Sequence, residues 1–367
     1  MLFRIMTSIP LVHADIRQAR TPDKRLYNDP GVYQQILERV FVPSWQWMGD
    51  TDQVKVPDAV WPCTFLEGSL DEPLVFTRDR QDQVHCLSNV CTHRGMVVCE
   101  AAGHERFLRC RYHGRRFGLD GQFQFMPEFD QVADFPSEAD HLPRVPFATW
   151  GRHLFASLRP EAAFETVMRE MQDLVGWMDL ATFEPEPSRT RDYLVRANWA
   201  LYVDNYLEGF HIPFVHADLN AVLDYGAYQV ERFPYGVLQV AIGNEGEDCF
   251  DLPAGHRFAG QRVAAFYFWV FPNLMFNFYP WGLSLNVVRP LGVDRTRVSF
   301  IGYVKDASRM DVGAGAALDR VEREDEVVVE LVHRGLKSRN YQHGRYSPTQ
   351  EVGIHHFHQM LTARLQG

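Results

Sequence analysis

The stretch CTHRGMVVCEAAGHERFLRCRYHG, residues 91–114, carries two Cys/His pairs: Cys91-x-His93 and Cys110-x-x-His113. Each pair is followed by a glycine, Gly95 or Gly114, a residue that lets the backbone turn tightly beside a bound centre. Two thiolates and two imidazoles make four ligands. Structural zinc takes Cys2His2 sets, and a two-iron cluster takes two Cys on one iron and two His on the other. Zinc fingers group their cysteines and their histidines separately. Here each half is mixed, one thiol and one imidazole per loop, as the two-iron arrangement requires. Chance placement of ordinary core cysteines and surface histidines accounts poorly for four such ligands with two tip glycines.

Composition frames this centre. The chain has 367 residues, enough for two domains that each bury a core. A net charge of -10 argues against a nucleic-acid partner held through its phosphates. No run of apolar residues is long enough for a membrane-spanning helix. The start, MLFRIMTSIPLVHAD, is broken by Arg4, Thr7 and Pro10 and does not read as a signal peptide. Six cysteines are too sparse for a secreted disulfide scaffold, so the expected compartment is a reducing cytoplasm. Cys63, Cys86, Cys99 and Cys249 read as small buried apolar residues.

Working outward, residues 14–43 read as helical, with Val32, Ile36 and Val40 at helical spacing. From 45 to 155 the texture is short strands and turns. LVFTRDRQDQVHCLSNV reads as two strands around a polar turn, and FGLDGQFQF as a hairpin with Asp120-Gly121 at its tip. A segment near 176–190, rich in Glu and Pro, reads as a separator. Residues 264–304 read as an antiparallel meander, punctuated at Pro272-Asn273, Pro280-Trp281-Gly282 and Gly292-Val293-Asp294. A long helix is expected over 315–336. The fragment Gly313-x-Gly315 lacks the third glycine of a dinucleotide loop.

A second metal site is suggested by NWALYVDNYLEGFHIPFVHADL, residues 198–219. His211 and His216 flank Pro213, which breaks a helix and lets the second imidazole swing back towards the first. Two His and a carboxylate with open positions form the facial triad of non-haem Fe(II) oxygenases. The helix ALDRVEREDEVVVELVHRGL offers the carboxylate. Leu318, Val321, Val328 and Val332 read as its apolar stripe, with Asp325 on that side and Glu324 near it. Glu322 and Glu326 are expected to face solvent. Asp204 and Asn205 either line a pocket or cap and pack.

Through these two sites together, the chain resembles the oxygenase α component of the Rieske non-haem iron oxygenases, from about residue 28 onwards. The resemblance implies an α+β protein: an all-β Rieske [2Fe–2S] domain, then a helix-grip catalytic domain of antiparallel sheet plus long helix. The expected divisions are an N-terminal helical segment packing on the catalytic domain (1–43), the Rieske domain (44–155) and the catalytic domain (156–367). By resemblance Cys91 and Cys110 bind one cluster iron and His93 and His113 the other. Met96 and Tyr112 stand where respiratory Rieske proteins carry a disulfide, so the loops resemble the low-potential oxygenase type. The mononuclear Fe(II) ligands carried over are His211, His216 and Asp325. Glu208 occupies the place of the acidic bridging residue, where many members have Asp. Glu208 and Asn205 are the residues expected to serve the catalytic site beside these ligands.

The resemblance further implies O2-dependent hydroxylation of a small organic substrate. Electrons would come from a separate NAD(P)H-dependent reductase, directly or through a ferredoxin, and pass by way of Glu208 between neighbouring subunits of a homotrimer. Arg94, Arg111, Arg115 and Arg116 read either as solvated charge or as a docking face for an acidic donor. The DNYLEGFHIPFVH pattern is closer to choline- and carnitine-type monooxygenases than to naphthalene-type dioxygenases. Phe210, Phe214, Tyr206, Tyr225, Tyr228, Phe276, Phe278, Tyr279 and Trp281 are the aromatic candidates, most of them core and two or three lining a pocket. His343, His355, His356 and His358 read as packing or interface residues. Rival readings are an electron carrier with a degenerate second site and a zinc-stabilised binding protein.

Overall fold

The computed structural model describes residues 9–216, 225–316 and 318–366. The first eight residues of the chain, and residues 217–224 after His216, lie outside that set. The chain divides into two compact units: Val42–Glu161, and Met1–Phe41 together with Ala162–Gly367.

The unit Val42–Glu161 is built from three small antiparallel sheets. In one, His153–Ala156 lies between Gln46–Asp50 and Phe147–Trp150. In the second, the order is Val84–Ser88, Glu72–Arg78, Ala59–Phe65, Gly103–His104. The expected polar turn closes here, with Arg78 opposite Val84 and Asp79 Oδ1 accepting from the backbone N–H of Gln81 and Gln83. The third joins Leu108–Arg109, Arg116–Phe117 and Phe123–Phe125. Its turn places Gly121 at φ 85°, which explains the glycine after Asp120. Val60, Val75, Leu87, Leu108, Phe117 and Leu119 pack into one core that also holds Cys91 and Cys110.

The other unit is organised by a seven-stranded antiparallel sheet in the order Glu184–Val195, Arg295–Val304, Gly282–Gly292, Leu274–Tyr279, Val263–Val270, Gly236–Ile242, Gln229–Phe233. The meander read from the sequence is its centre, with turns at the three expected breaks. Every residue of Leu274–Tyr279 is buried, so both faces of the sheet are covered. The helix Leu318–Leu336 packs against the helix Trp199–Tyr206 and the strand Glu184–Val195.

Five sequence readings are corrected. The helical span 14–43 begins only at Arg25 and is interrupted at Asp29. Pro30 has no N–H to continue a helix, and the Asp29 side chain caps Gly31 and Val32 N–H, so Pro30–Ile36 starts afresh and runs into a wider turn, Leu37–Phe41. The separator near 176–190 is two short helical turns, Gly176–Met178 and Leu180–Thr182, followed by strand: Glu184–Val195 pairs with Arg295–Val304 as an edge, where its prolines do no harm to the ladder. The buried line of the helix Leu318–Leu336 is Glu322, Val329, His333 and Leu336, whereas Val332 is 45% exposed. The side chain of Leu318 is outside the described set. Glu322, expected in solvent, is therefore buried. It is tolerated because Tyr202 Oη donates to its carboxylate at 2.6 Å. Finally, Arg115 is not surface charge: it is buried, and its guanidinium donates to Asp140 Oδ1 at 2.6 Å.

Candidate metal centres and active site

The two loops at the tips of Val42–Glu161 have the same backbone construction. Cys91 N–H donates to Met96 O and Gly95 N–H to Cys91 O; Cys110 N–H donates to Arg115 O and Gly114 N–H to Cys110 O. The chain therefore reverses around each cysteine, and Gly95 and Gly114 adopt φ 75° and 79° to close the turns. Cys91 and Cys110 are buried and their side chains are within hydrogen-bond contact. The His93 and His113 ring centroids lie 4.8 Å apart. Asp140 ties the loops together, its backbone O accepting from Thr92 Oγ1 and its carboxylate from Arg115. His113 Nδ1 is buried without a hydrogen-bond partner. A buried ring nitrogen of this kind needs a Lewis acid or a donor. Two buried thiols and two neighbouring imidazoles, one carrying such a nitrogen, fit a [2Fe–2S] cluster. Arg94 lies over the Tyr112 ring, which stacks on His113; Tyr112 is 55% exposed. Arg116 lies over Phe107 and Phe125.

The second site is built by two helices and the sheet. Asn198 caps the helix Trp199–Tyr206 through Ala200 N–H. After it the chain turns at Leu207, and a short helix, Ile212–Val215, carries Pro213 in its first turn. His211 and His216 therefore flank one turn of helix and converge, with ring centroids 5.1 Å apart. Asp325 arrives from the helix Leu318–Leu336. Its Oδ1 lies 3.0 Å from His216 Nε2 and 3.5 Å from His211 Nε2. One ligand atom from each of the three residues lies within 4.8 Å of the others. Among the described residues no other group of three potential ligands is this close, and the C-terminal histidines do not form one. His355 Nε2 faces His13 O, His356 Nε2 faces Phe233 O, and His358 sits between Tyr27 and Tyr346 hydroxyls.

Both imidazoles are held from behind. His211 Nδ1 is 2.7 Å from Glu208 Oε1, and His216 Nδ1 is 2.7 Å from Glu324 Oε2. Glu208 also accepts from His211 backbone N–H through Oε2. Protons on the two Nδ1 atoms leave both Nε2 lone pairs aimed at the common space. Asn205 Nδ2 donates to Asp325 Oδ1 at 2.7 Å, so Asn205 touches the site, whereas Asp204 turns to Tyr27 and His358. Burial opposes charge on His216, but the carboxylates of Asp325 and Glu324 outweigh it and raise its pKa. Burial pushes Glu322 well up, reinforced by the Asp325 charge. A buried pocket with this surplus of carboxylate and two oriented lone pairs suits a divalent cation with N and O ligands.

The cavity over these residues measures about 110 Å³. Tyr206, Tyr228, Tyr267 and Tyr279 supply aromatic walls; Gln239, Asn277, Asn286 and Phe300 complete the sheet side. Among the described side chains, three of the nine aromatic candidates, Tyr206, Tyr228 and Tyr279, thus line it; the side chain of Tyr225 is outside the described set. Phe210 and Phe214 are exposed, and Phe276 and Phe278 lie on the opposite face of their strand from Asn277 and Tyr279. Tyr202, Gln239, Tyr267, Asn277, Asn286 and Phe300 escaped the sequence reading, as did the hold of Glu324 on His216. One signal was present: a polar residue inside an apolar strand, as in GVLQVAI around Gln239.

Comparison with known proteins agrees with this construction. The family described as "Rieske [2Fe-2S] domain" matches residues 44–136, and "Ring hydroxylating alpha subunit (catalytic domain)" matches residues 177–367. The chain is similar to the chloroplastic choline monooxygenase of Arabidopsis thaliana, 32% identical with 96% of this chain and 84% of that protein covered. It is 26% identical to the carnitine monooxygenase oxygenase subunit of Escherichia coli (strain K12), covering 95% and 94%. Its fold matches a solved quaternary ammonium Rieske monooxygenase with a TM-score of 0.79, at 21% identity, over 98% of this chain and 100% of that one. The two matched domains use a [2Fe–2S] cluster and a mononuclear iron respectively. The chain belongs to the ring-hydroxylating α-subunit family and is the oxygenase component of a Rieske-type oxygenase.

Proposed function

We propose that this oxygenase hydroxylates a small quaternary ammonium compound at a carbon next to nitrogen, a reaction that releases a methyl group or splits a C–N bond. The observation that carries this reading is the pocket wall: five tyrosines, with Glu208, Glu322 and Asp325 among the other lining residues and, among the described residues, no lysine or arginine. Aromatic faces attract a quaternary ammonium through their quadrupoles. A pocket of about 110 Å³ is small beside ordinary ligand sites and suits a compact ligand. Gln239, Asn277 and Asn286 would also lose hydration against a hydrocarbon without gaining a partner. The relatives named for choline and carnitine oxidation point the same way.

In this reading His211, His216 and Asp325 hold the mononuclear iron, and Cys91, Cys110, His93 and His113 hold the cluster. Bound there, the two centres supply electron delivery and O2 activation. The protein's part is positional. Glu208 and Glu324 fix the imidazole tautomers and aim both Nε2 atoms. Asn205 turns the Asp325 carboxylate. The tyrosines exclude water and seat the cation. Glu208 also serves as the carboxylate bridge between His211 and a cluster histidine of a neighbouring subunit, in a head-to-tail homotrimer. Inter-subunit electron transfer has been described for the solved quaternary ammonium Rieske monooxygenase, which supports the same route here. Exposed Arg94, Arg111 and Tyr112 beside His113 suit an acidic electron donor, a ferredoxin or an NAD(P)H-dependent reductase. Six free cysteines fit a reducing compartment such as the cytoplasm, and among the described residues no helix is long and apolar enough to cross a membrane.

The test is O2 uptake by the iron-loaded protein with a surrogate reductase, comparing trimethylammonium compounds with naphthalene. Uptake coupled to loss of a trimethylammonium compound, abolished in Asp325→Ala while the cluster spectrum persists, is expected. Uptake with naphthalene alone overturns the reading.

A further inference from the structure

We propose that Gln239 sets specificity within that substrate class: its Oε1 accepts a hydrogen bond from a hydroxyl on the ligand, so the pocket takes a quaternary ammonium alcohol and turns away carboxylate-bearing counterparts. The proposal rests on the quaternary ammonium reading above.

Gln239 is 1% exposed, sits in the middle of the strand Gly236–Ile242 and lines the cavity. Its Nε2 donates to Tyr206 O at 2.7 Å, which settles the orientation of the amide. Oε1 is then left buried with no hydrogen-bond partner among the described residues. An unsatisfied buried acceptor costs the full desolvation of that group, so it calls for a donor. Most of the lining hydroxyls have partners of their own. Tyr206 Oη donates to Asn277 Oδ1 at 2.8 Å, Tyr202 Oη to Glu322, and Tyr267 and Tyr279 hydrogen-bond to each other. The row is built into the sheet register, with Gln239 opposite Tyr267 and Tyr267 opposite Asn277. The donor must therefore arrive with whatever fills the cavity: water when no substrate is bound, a ligand hydroxyl when it is loaded.

Charge excludes the alternative tail. Among the described residues no lysine or arginine lines the cavity, while Glu208, Glu322 and Asp325 do. The segment that follows His216 in sequence, ADLNAVLD, 217–224, lies outside the described residues and contains two aspartates and no base. Arg189 and Arg191, which share a separate pocket with Phe300, are already engaged by Asp311 and Asp319. A carboxylate tail would find no lysine or arginine in the lining to pair with.

The experiment uses the iron-loaded protein and three trimethylammonium compounds whose fourth substituent is 2-hydroxyethyl, ethyl or carboxymethyl. Binding is read by calorimetry and turnover by O2 uptake. The 2-hydroxyethyl compound is expected to exceed the ethyl compound in affinity and kcat/KM by about 10- to 100-fold, the value of one buried polar group left unmatched. The carboxymethyl compound is expected to bind weakest. In Gln239→Met the hydroxyl preference should collapse to near unity while the ethyl compound is little changed, with cluster spectrum and iron content retained. Equal handling of the hydroxyl and ethyl compounds by the wild type overturns the role of Gln239, even if the variant fails to fold. An equal loss of both in the variant also overturns it, because that marks a purely structural residue. Failure of the wild type to bind any of the three overturns the quaternary ammonium reading itself.

Discussion

His216 is held at both ring nitrogens, by Glu324 behind and Asp325 in front. In sequence Glu324 and Asp325 compete as the carboxylate ligand; in the fold Glu324 grips the other side of the ring. Glu324→Ala is expected to lower mononuclear iron affinity by about 10- to 100-fold with the cluster untouched. Iron content falling while acid-labile sulfide stays constant checks this; unchanged iron would refute it. His153 offers a second test, remote from any proposed ligand. Burial, and then the Arg152 charge, lower its pKa to about 3, and its Nδ1 accepts from Trp47 Nε1–H. The unfolded value is about 6.5. Below that pH the unfolded chain takes up a proton that the folded chain refuses. Stability should therefore decline as pH falls from 6.5 towards 3, by up to about 1.4 kcal/mol per pH unit. Urea midpoints at pH 7 and pH 5 should separate for the wild type and much less for His153→Gln; equal separation would sink the assignment. Residue identity was legible where chemistry forces rare side chains together, as at Cys91, His93, Cys110 and His113. It was not legible for Glu322 or Gln239, whose burial depends on Tyr202 and Tyr206, partners from a distant helix.

At the scale of elements, the meander was readable because its turns are chemically marked. Gly282 shows why: at φ 156° its absent Cβ would lie 2.1 Å from Tyr303 O, a backbone atom of the paired strand. Gly282→Ala should destabilise the sheet by at least about 2 kcal/mol. Gly292→Ala, at the other end of the same strand with nothing within 4 Å of its Cβ position, should change stability far less. Chemical unfolding of the two variants compares them directly, and equal losses would contradict the steric account. The strand Glu184–Val195 was unreadable for the opposite reason. Its residues are mostly exposed and include two prolines, so no alternation marks it, and only the partner Arg295–Val304 makes it a strand. The long helix was found, but its buried side was misjudged, because its valines outnumber the inward positions and the inward polar residues have partners that periodicity cannot display.

At the scale of the whole molecule, the proposed head-to-tail homotrimer has a direct consequence. A chain with a dead cluster, Cys91→Ala, and a chain with a dead iron site, Asp325→Ala, are each expected to be inactive alone. Co-expressed, they should recover measurable activity, because a good cluster in one subunit can serve a good iron site in its neighbour. Absence of any recovery in verified mixed oligomers would count against transfer between subunits. The order in which the chain is made also bears on its folding. In the larger unit the early segment docks on the late one: Tyr27 Oη meets His358, Val12 N–H meets Thr362 Oγ1, and Ile9 O meets Gln366. In the smaller unit Val42 O accepts from Arg159 N–H and Pro43 O from Glu161 N–H, so that unit closes on itself with residues already synthesised. On the ribosome the cluster-binding unit can therefore finish folding and receive its iron and sulfide while the oxygenase site is still unwritten, and the N-terminal segment must wait until residue 366 has been made.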